Sequence, residues 1–274
     1  MTIYSGYTAL RIDVSEHIAS VAIDNGEINL FDRVLFPDLA RAATELAADD
    51  DVRVVVLRSA NPDFFIAHFD VELILRMPTD MAAPDTPNSF HVMVDTFRTM
   101  PKATIAVLEG RVGGGGAELL ASFDMRFAAR GRAILNQPEV ALGILPGGSG
   151  TIRLPRLLGR SRALEVILGC DDVDADLAER WGWVNRTFDP SELWPFVHRL
   201  AARIAGFPPQ AVAAAKASVL DTDGDLTGAY LREGARFNAL LGEPSAHGAM
   251  ASFLEHGGQT RSGELRLGAL LGEL

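Results

Sequence analysis

A glutamate behind four consecutive glycines is the part of this chain best suited to chemistry. The run is Gly113-Gly114-Gly115-Gly116-Ala117-Glu118-Leu119, set on the apolar stretch Thr104 to Val112. Glycine admits backbone conformations closed to other residues and lets a ligand approach main-chain N–H groups closely. A helix start adds unpaired donors and the positive end of the helix dipole. Such a loop can hold a developing negative charge, and an acid beside it can move a proton. The same residues also suit a tight strand-to-helix turn whose glutamate merely begins the helix, so the run alone does not decide.

Composition narrows the classes of function. The chain has 274 residues, 48% of them hydrophobic, which suits one large domain or a domain with a subdomain. A net charge of −11 with no basic block argues against a nucleic-acid partner. Phosphate groups would need local cations, because the global field does not attract anions. The single cysteine, Cys170, excludes an intramolecular disulfide and a cysteine-built zinc cage, and no metal site is expected. Between Gly169 and two aspartates it reads as an inert loop thiol. Residues Met1 to Gly6 lack the basic and apolar regions of a leader, and no apolar stretch approaches the ~20 residues of a membrane span. A cytoplasmic protein without a membrane partner is expected.

The elements that must position Glu118 follow from periodicity. Ile18 to Ile23, Val52 to Leu57, Thr104 to Leu108 and Met125 to Ala129 are short apolar, β-branched runs that read as strands. Leu35, Leu39, Ala42, Ala43 and Leu46 recur at helical spacing before Asp49-Asp50-Asp51. Alternating strands and helices imply right-handed crossovers. Residues 77–90 carry three prolines and read as a mobile surface excursion, followed by a helix from His91 to Met100. Beyond about residue 191 the patterns are helical: Ser191 to Ile204, Ala211 to Leu220, Gly228 to Leu241 and Ala246 to Glu255. The tail Leu265, Leu267, Leu270 and Leu271 fits packing on a partner, an intramolecular helix or a frayed end. No sequence repeat is evident.

Two further segments make the glycine run specific. One is Asp63-Phe64-Phe65-Ile66-Ala67-His68-Phe69-Asp70-Val71, directly after the second strand. The other is Asn136-Gln137-Pro138-Glu139-Val140-Ala141-Leu142-Gly143-Ile144-Leu145-Pro146-Gly147-Gly148-Ser149-Gly150-Thr151. In the order FFIAHFD, GGGGAE, NQPEVALGILPGGSGT and RLPRLLGRSRALEVIL, the chain resembles the crotonase (enoyl-CoA hydratase/isomerase) superfamily over about residues 10–255. VDADLAERWGWVNR, Val173 to Arg186, resembles the stretch that leads into that family's helical region.

The resemblance implies an α/β fold: a spiral of ββα units over residues 1–190 that carries an acyl-CoA site. Residues 191–274 become an α-helical oligomerisation region, in a homotrimer or dimer of trimers. It implies an acyl-CoA thioester as substrate and no separate cofactor. The backbone N–H groups of Phe69 and Gly115 become the oxyanion hole, where each donor removed costs roughly 3–4 kcal/mol. Glu118 and Glu139 become the two acids of a hydratase, with Glu118 activating water at C3 of a 2-enoyl-CoA and Glu139 protonating C2. Two acids in one desolvated pocket titrate as a coupled pair. Ile28, Ala67, His68, Asp70, Gly114, Pro138 and Gly147 fall at substrate-binding positions. Isomerisation, decarboxylation and thioester hydrolysis use the same scaffold, and a non-catalytic acyl-CoA-binding scaffold is the reading from another class.

The chain also departs from the family pattern. The small first oxyanion loop becomes His68-Phe69. His68 either adds a hydrogen bond or pH-sensitive group near the thioester, or points away as a satisfied loop histidine. Phe69 either narrows the acyl channel or fills core. Asp63 and Glu72 replace flanking cations, Asn25 to Phe31 and Phe253 to Gly257 lack their usual motifs, and Lys102 keeps the family position as a surface residue.

Overall fold

A computed structural model describes residues 4–274; the first three residues of the stretch considered for a leader lie outside the described residues. β1 (Leu10–Ser15) and β2 (Ile18–Ile23) form a hairpin. Its turn residues, Glu16 and His17, both have positive φ, 51° and 67°, as a two-residue turn matched to strand twist requires. α1 (Leu35–Ala48) follows and buries the five residues spaced for it. Lys102, expected at the surface, is instead buried at the end of this helix. Its Nζ donates to the carbonyls of Leu46, at 2.6 Å, and Asp49, at the end where helix carbonyls lack helical donors.

Three strand pairs then wind the chain into a spiral. β3 (Val54–Ser59) and β4 (Phe64–Ile66) precede α2 (Val71–Ile74) and α3 (Ser89–Thr99). β5 (Ala103–Leu108) and β6 (Arg111–Gly113) precede α4 (Gly114–Leu120). β7 (Met125–Ala129) and β8 (Ile134–Asn136) precede α5 (Gly150–Leu158) and α6 (Arg160–Gly169). β9 (Val173–Asp174), α7 (Ala175–Trp181) and β10 (Arg186–Phe188) complete the strands. The first strand of each pair enters a six-stranded sheet, β1-β2-β3-β5-β7-β10, parallel after the hairpin; the second enters a four-stranded sheet, β4-β6-β8-β9. This is the expected ββα spiral, repeated in structure though not in sequence.

The large sheet is buried on both faces, as parallel sheets are. Val55, Leu57, Ala106 and Leu108 face the core that holds α1 and α3. Val54, Val56, Ile105 and Val107 face the other way, under Leu193, Val197 and Ala201 of α8 (Pro190–Ala205). α9 (Pro209–Leu220), α10 (Thr227–Leu241), α11 (Pro244–Glu255), α12 (Arg261–Glu264) and α13 (Leu267–Leu271) end the chain. The apolar tail packs within its own chain: Leu267, Leu270 and Leu271 join Val71, Ile74, Leu142 and Phe253 in one cluster. No helix of the described residues is long and apolar enough to cross a membrane.

Candidate active site

The glycine run places Glu118 on α4, at 4% exposure. Its Oε1 accepts the N–H groups of Gly148 at 2.8 Å and Gly150 at 2.6 Å, where α5 begins. Ser149 between them takes φ 93° and donates its N–H to Oε1 of Glu233 at 2.6 Å. Glu233, buried on α10, also accepts the Thr151 hydroxyl and, at 3.1 Å, Nε2–H of His91. The turn 148–150 is therefore held by two buried carboxyls at once.

Glu139 reaches the same region from the neighbouring strand, because β8 pairs with β6, the strand that runs into α4. β8 ends at Asn136, whose Nδ2 donates to the Cys170 carbonyl at 3.0 Å and to Asp172 at 3.1 Å. Gln137 donates to the Gly114 carbonyl at 3.3 Å, which ties the Glu139 segment to the glycine run. Gly114 has φ 47°, and a Cβ there would stand 2.9 Å from Oε1 of Glu139; the site needs glycine for both conformation and space. Oε2 of Glu139 is buried with no hydrogen-bond partner among the described residues.

The backbone aims the two expected oxyanion donors. The Phe31 N–H donates to the His68 carbonyl at 2.9 Å, and the Asp70 N–H donates to the Phe31 carbonyl at 3.1 Å. No peptide bond described is cis, so the Phe69 N–H points opposite to the His68 carbonyl, away from Phe31. Gly115 stands in the first turn of α4, where N–H groups have no helical acceptor. Among the described residues neither N–H is bonded within the chain.

One cavity of about 270 Å³ collects Phe69, Gly115, Glu118, Glu139 and Gly147. Its walls are mostly apolar, with Phe36, Met77, Met81, Phe90, Leu145 and Phe237 among them. Phe90 sits over the glycines: a Cβ at Gly148 would come within 2.4 Å of its ring, and one at Gly115 within 3.3 Å. Residues 77–90, read from sequence as a surface excursion, form one wall of this cavity. The Ala82 carbonyl accepts the Asn238 side-chain N–H at 2.8 Å, which pins the segment to α10. A larger recess of about 570 Å³ lies under α9, beside Arg126 and Lys216, and touches neither acid.

Other expected contacts lie elsewhere. Ile28 and Ala67 pack with Phe64, joined by an Ala67 N–H to Ile28 carbonyl bond of 3.1 Å, and do not line the cavity. Asp70 caps α2 through the Glu72 N–H at 2.9 Å and accepts from Gln259 at 3.1 Å. Gly114 acts through its conformation, and Pro138 is buried without lining the cavity. His68 turns away from the cavity and bonds Glu264, at 3.0 Å. Asp63 is paired with Arg261, and Glu72 with Arg76 at 2.8 Å, so the acids standing where cations were sought are neutralised.

Burial raises the proton affinity of both site acids. Glu139 is pushed up to about 7, against the opposing pull of its own N–H and of His68, with Glu233 adding to the rise. Glu118 is raised by burial and then by Glu139 and Glu233, while the Gly150 and Gly148 N–H groups act in the opposite sense. Hydrogen bonding distinguishes the two acids. Two backbone donors at a helix start favour a carboxylate at Glu118, whereas the unpartnered oxygen of Glu139 suits a carboxylic acid.

Several residues of the site escaped the sequence reading. Phe90 and Phe237 carry no motif, and Glu233 looks like any helical surface glutamate. Its one signal is position: Tyr230, Glu233 and Gly234 form the buried stripe of α10 at helical spacing.

Comparison with known proteins identifies the family of the chain. The family described as enoyl-CoA hydratase/isomerase matches residues 13–259. A crotonyl-CoA hydratase of Syntrophomonas wolfei is 30% identical over 91% of this chain and 96% of its own. A carnitinyl-CoA dehydratase of Salmonella paratyphi B is 31% identical over 76% and 78%. A Streptomyces avermitilis crystal structure, an enoyl-CoA hydratase by provisional name, shares 38% identity and a TM-score of 0.90 over 98% of both chains. The matched residues span the Phe69 loop, the glycine run and the Glu139 segment, and the chain belongs to the enoyl-CoA hydratase/isomerase family, the crotonase superfamily.

Proposed function

We propose that the protein is an enoyl-CoA hydratase, adding water syn across a 2-enoyl-CoA to give a 3-hydroxyacyl-CoA. One observation carries this reading: Glu118 and Glu139 line one cavity with Phe69 and Gly115, whose N–H groups are unbonded. The thioester oxygen accepts both N–H groups. Glu118 takes a proton from water as the water oxygen bonds to C3. The C2–C3 electron pair moves toward the thioester, and the enolate oxygen carries the charge in the oxyanion hole. Glu139 then delivers its proton to C2, the carbonyl re-forms, and proton transfer from Glu118 to Glu139 restores the pair. Coenzyme A enters as part of the substrate.

The carnitinyl-CoA dehydratase relative supports the same chemistry in reverse, elimination of water from a 3-hydroxyacyl-CoA. The family also contains isomerases, and a single acid near neutrality such as Glu139 can move a proton between C2 and C4. Loss of the conjugated thioester absorbance over a panel of enoyl-CoAs, with product identification, separates these outcomes. A protein inert on every member, or a Glu139→Gln variant with full activity, defeats the hydratase reading.

The reading extends to a homotrimer or a dimer of trimers. α9 is rich in alanine and valine, yet none of its residues is buried, and Val219 is 68% exposed. Light scattering that returns a monomer at micromolar concentration removes this part.

A further inference from the structure

We propose that His68 and Glu264 form a buried ion pair that positions the oxyanion loop and Glu139, making residues 259–264 part of the working site. The inference rests on the hydratase reading for its reaction, and on separate geometry for the pair itself. Nδ1 of His68 lies 2.8 Å from the Phe69 carbonyl, and Nε2 lies 3.0 Å from Oε1 of Glu264. A carbonyl only accepts, so Nδ1 carries a proton. Oε1 of Glu264 also accepts the Gln259 N–H at 2.8 Å, which favours a carboxylate there and with it a proton on Nε2. The ring is an imidazolium facing a carboxylate, with side chains 3% and 1% exposed.

The charges packed around the pair agree with this state. Glu139 lies on one side: a Cβ at Gly114 would meet Glu139 Oε1 at 2.9 Å and His68 Cβ at 3.0 Å. Arg111, on β6, acts on Glu264 and is itself paired with Asp172 at 2.6 Å. Asp70 accepts from Gln259, whose Oε1 accepts the Val71 N–H, and the Phe253 ring meets His68 edge-on at 5.6 Å. Burial alone would strip the His68 proton, but the Glu264 charge and hydrogen bond, with the Phe69 carbonyl, hold it more tightly than usual. Burial would likewise protonate Glu264, and His68 reverses that.

Two consequences reach the reaction. The peptides on both sides of Phe69 are clamped, one by the Phe31 N–H on the His68 carbonyl and one by His68 on the Phe69 carbonyl. The N–H between them is thereby held toward the cavity. The imidazolium also favours the ionised form of Glu139, which keeps its proton exchangeable near neutral pH. His68 and Glu264 are positioning residues, because neither lines the cavity.

The test joins ring-nitrogen NMR with kinetics. In the wild-type protein, 15N shifts of His68 should show both nitrogens protonated at pH 7.5, a measurement that needs no variant. In Glu264→Gln, which keeps the size and an acceptor oxygen, His68 should become neutral at that pH. The alkaline limb of the kcat profile, which reports loss of the Glu139 proton, should move to higher pH. kcat should fall about tenfold or more, with KM changed less than about threefold. His68→Gln should move the same limb in the same direction. A neutral His68 in the wild type, or an active wild type with an unmoved Glu264→Gln profile, overturns the proposal. A wild type inert on every enoyl-CoA instead removes the hydratase reading, and the positioning role with it.

Discussion

Glu118 and Glu233 divide three successive backbone N–H groups between them: those of Gly148 and Gly150 go to Glu118, and that of Ser149 goes to Glu233. A turn held this way cannot shift toward one acid without losing bonds to the other. It also sets a third carboxyl within electrostatic reach of the two that line the cavity. Glu233→Gln keeps an oxygen for the Ser149 N–H and removes the charge. Glu118 should then ionise more easily, and the acid limb of the hydration rate should move to lower pH. The predicted loss of kcat is smaller than in Glu118→Gln, where removal of a working acid costs about 10²–10⁴-fold. A profile identical to wild type would show that Glu233 acts only on the fold.

Glu139 should weaken the fold at high pH. Its proton affinity is raised on folding, from the ordinary 4.5 to about 7. Stability tied to the proton is therefore full below about pH 4.5, falls as the pH rises through that interval, and is gone above about 7. Glu139→Gln removes the dependence. Its melting temperature relative to wild type should climb between pH 5 and pH 8, by the equivalent of at most about 3 kcal/mol. A constant difference across that range contradicts the assignment.

Gly114→Ala puts a methyl group where φ is 47° and Oε1 of Glu139 is 2.9 Å away. The backbone cost is about 1–2 kcal/mol. Displacing the acid should cost about 10²-fold in kcat. Urea unfolding and steady-state kinetics measure the two effects separately, and turnover should suffer more than stability.

Phe90 should govern acyl length. Its ring covers Gly115 and Gly148 and meets Phe31 at 5.3 Å and Phe36 at 6.0 Å. Phe90→Ala enlarges the cavity beside the acids without touching them. The ratio of kcat/KM for long-chain over short-chain enoyl-CoAs should rise by about tenfold or more. An unchanged ratio places the acyl group elsewhere.

Lys102→Met leaves the carbonyls of Leu46 and Asp49 without their ammonium donor. Denaturant unfolding should show a loss of about 1–3 kcal/mol with an unaltered m-value. Turnover per folded molecule should stay as in wild type, because this contact is at the far end of α1.

What the sequence showed depended on length and locality. β2, β7 and α1 were legible because six-, five- and fourteen-residue elements carry enough periodicity to declare themselves. β4, β6 and β8 have three residues each, too few for a pattern, and they became visible only as motif-bearing segments. Phe69, Gly115, Glu118 and Glu139 could be named because each belongs to a local motif. The direction of His68 could not be, because it is set by Glu264, 196 residues away. Glu233 was hidden for the same reason, reaching Ser149 across 84 residues. The tail was readable as apolar, but its docking surface is assembled from α2, α11 and the loop after Glu139, which no local pattern describes.

The distance between His68 and Glu264 also orders events in time. A ribosome releases residue 264 long after the sheets, the glycine run and both acids have emerged. The growing chain can thus assemble its sheets and the turn that holds Glu118 while His68 still waits for its counterion. Catalytic competence on this account arrives last, with synthesis nearly finished. A chain cut short before Gln259 would lack that counterion and also the Leu267, Leu270 and Leu271 side chains that fill the cluster around Val71, Ile74 and Phe253.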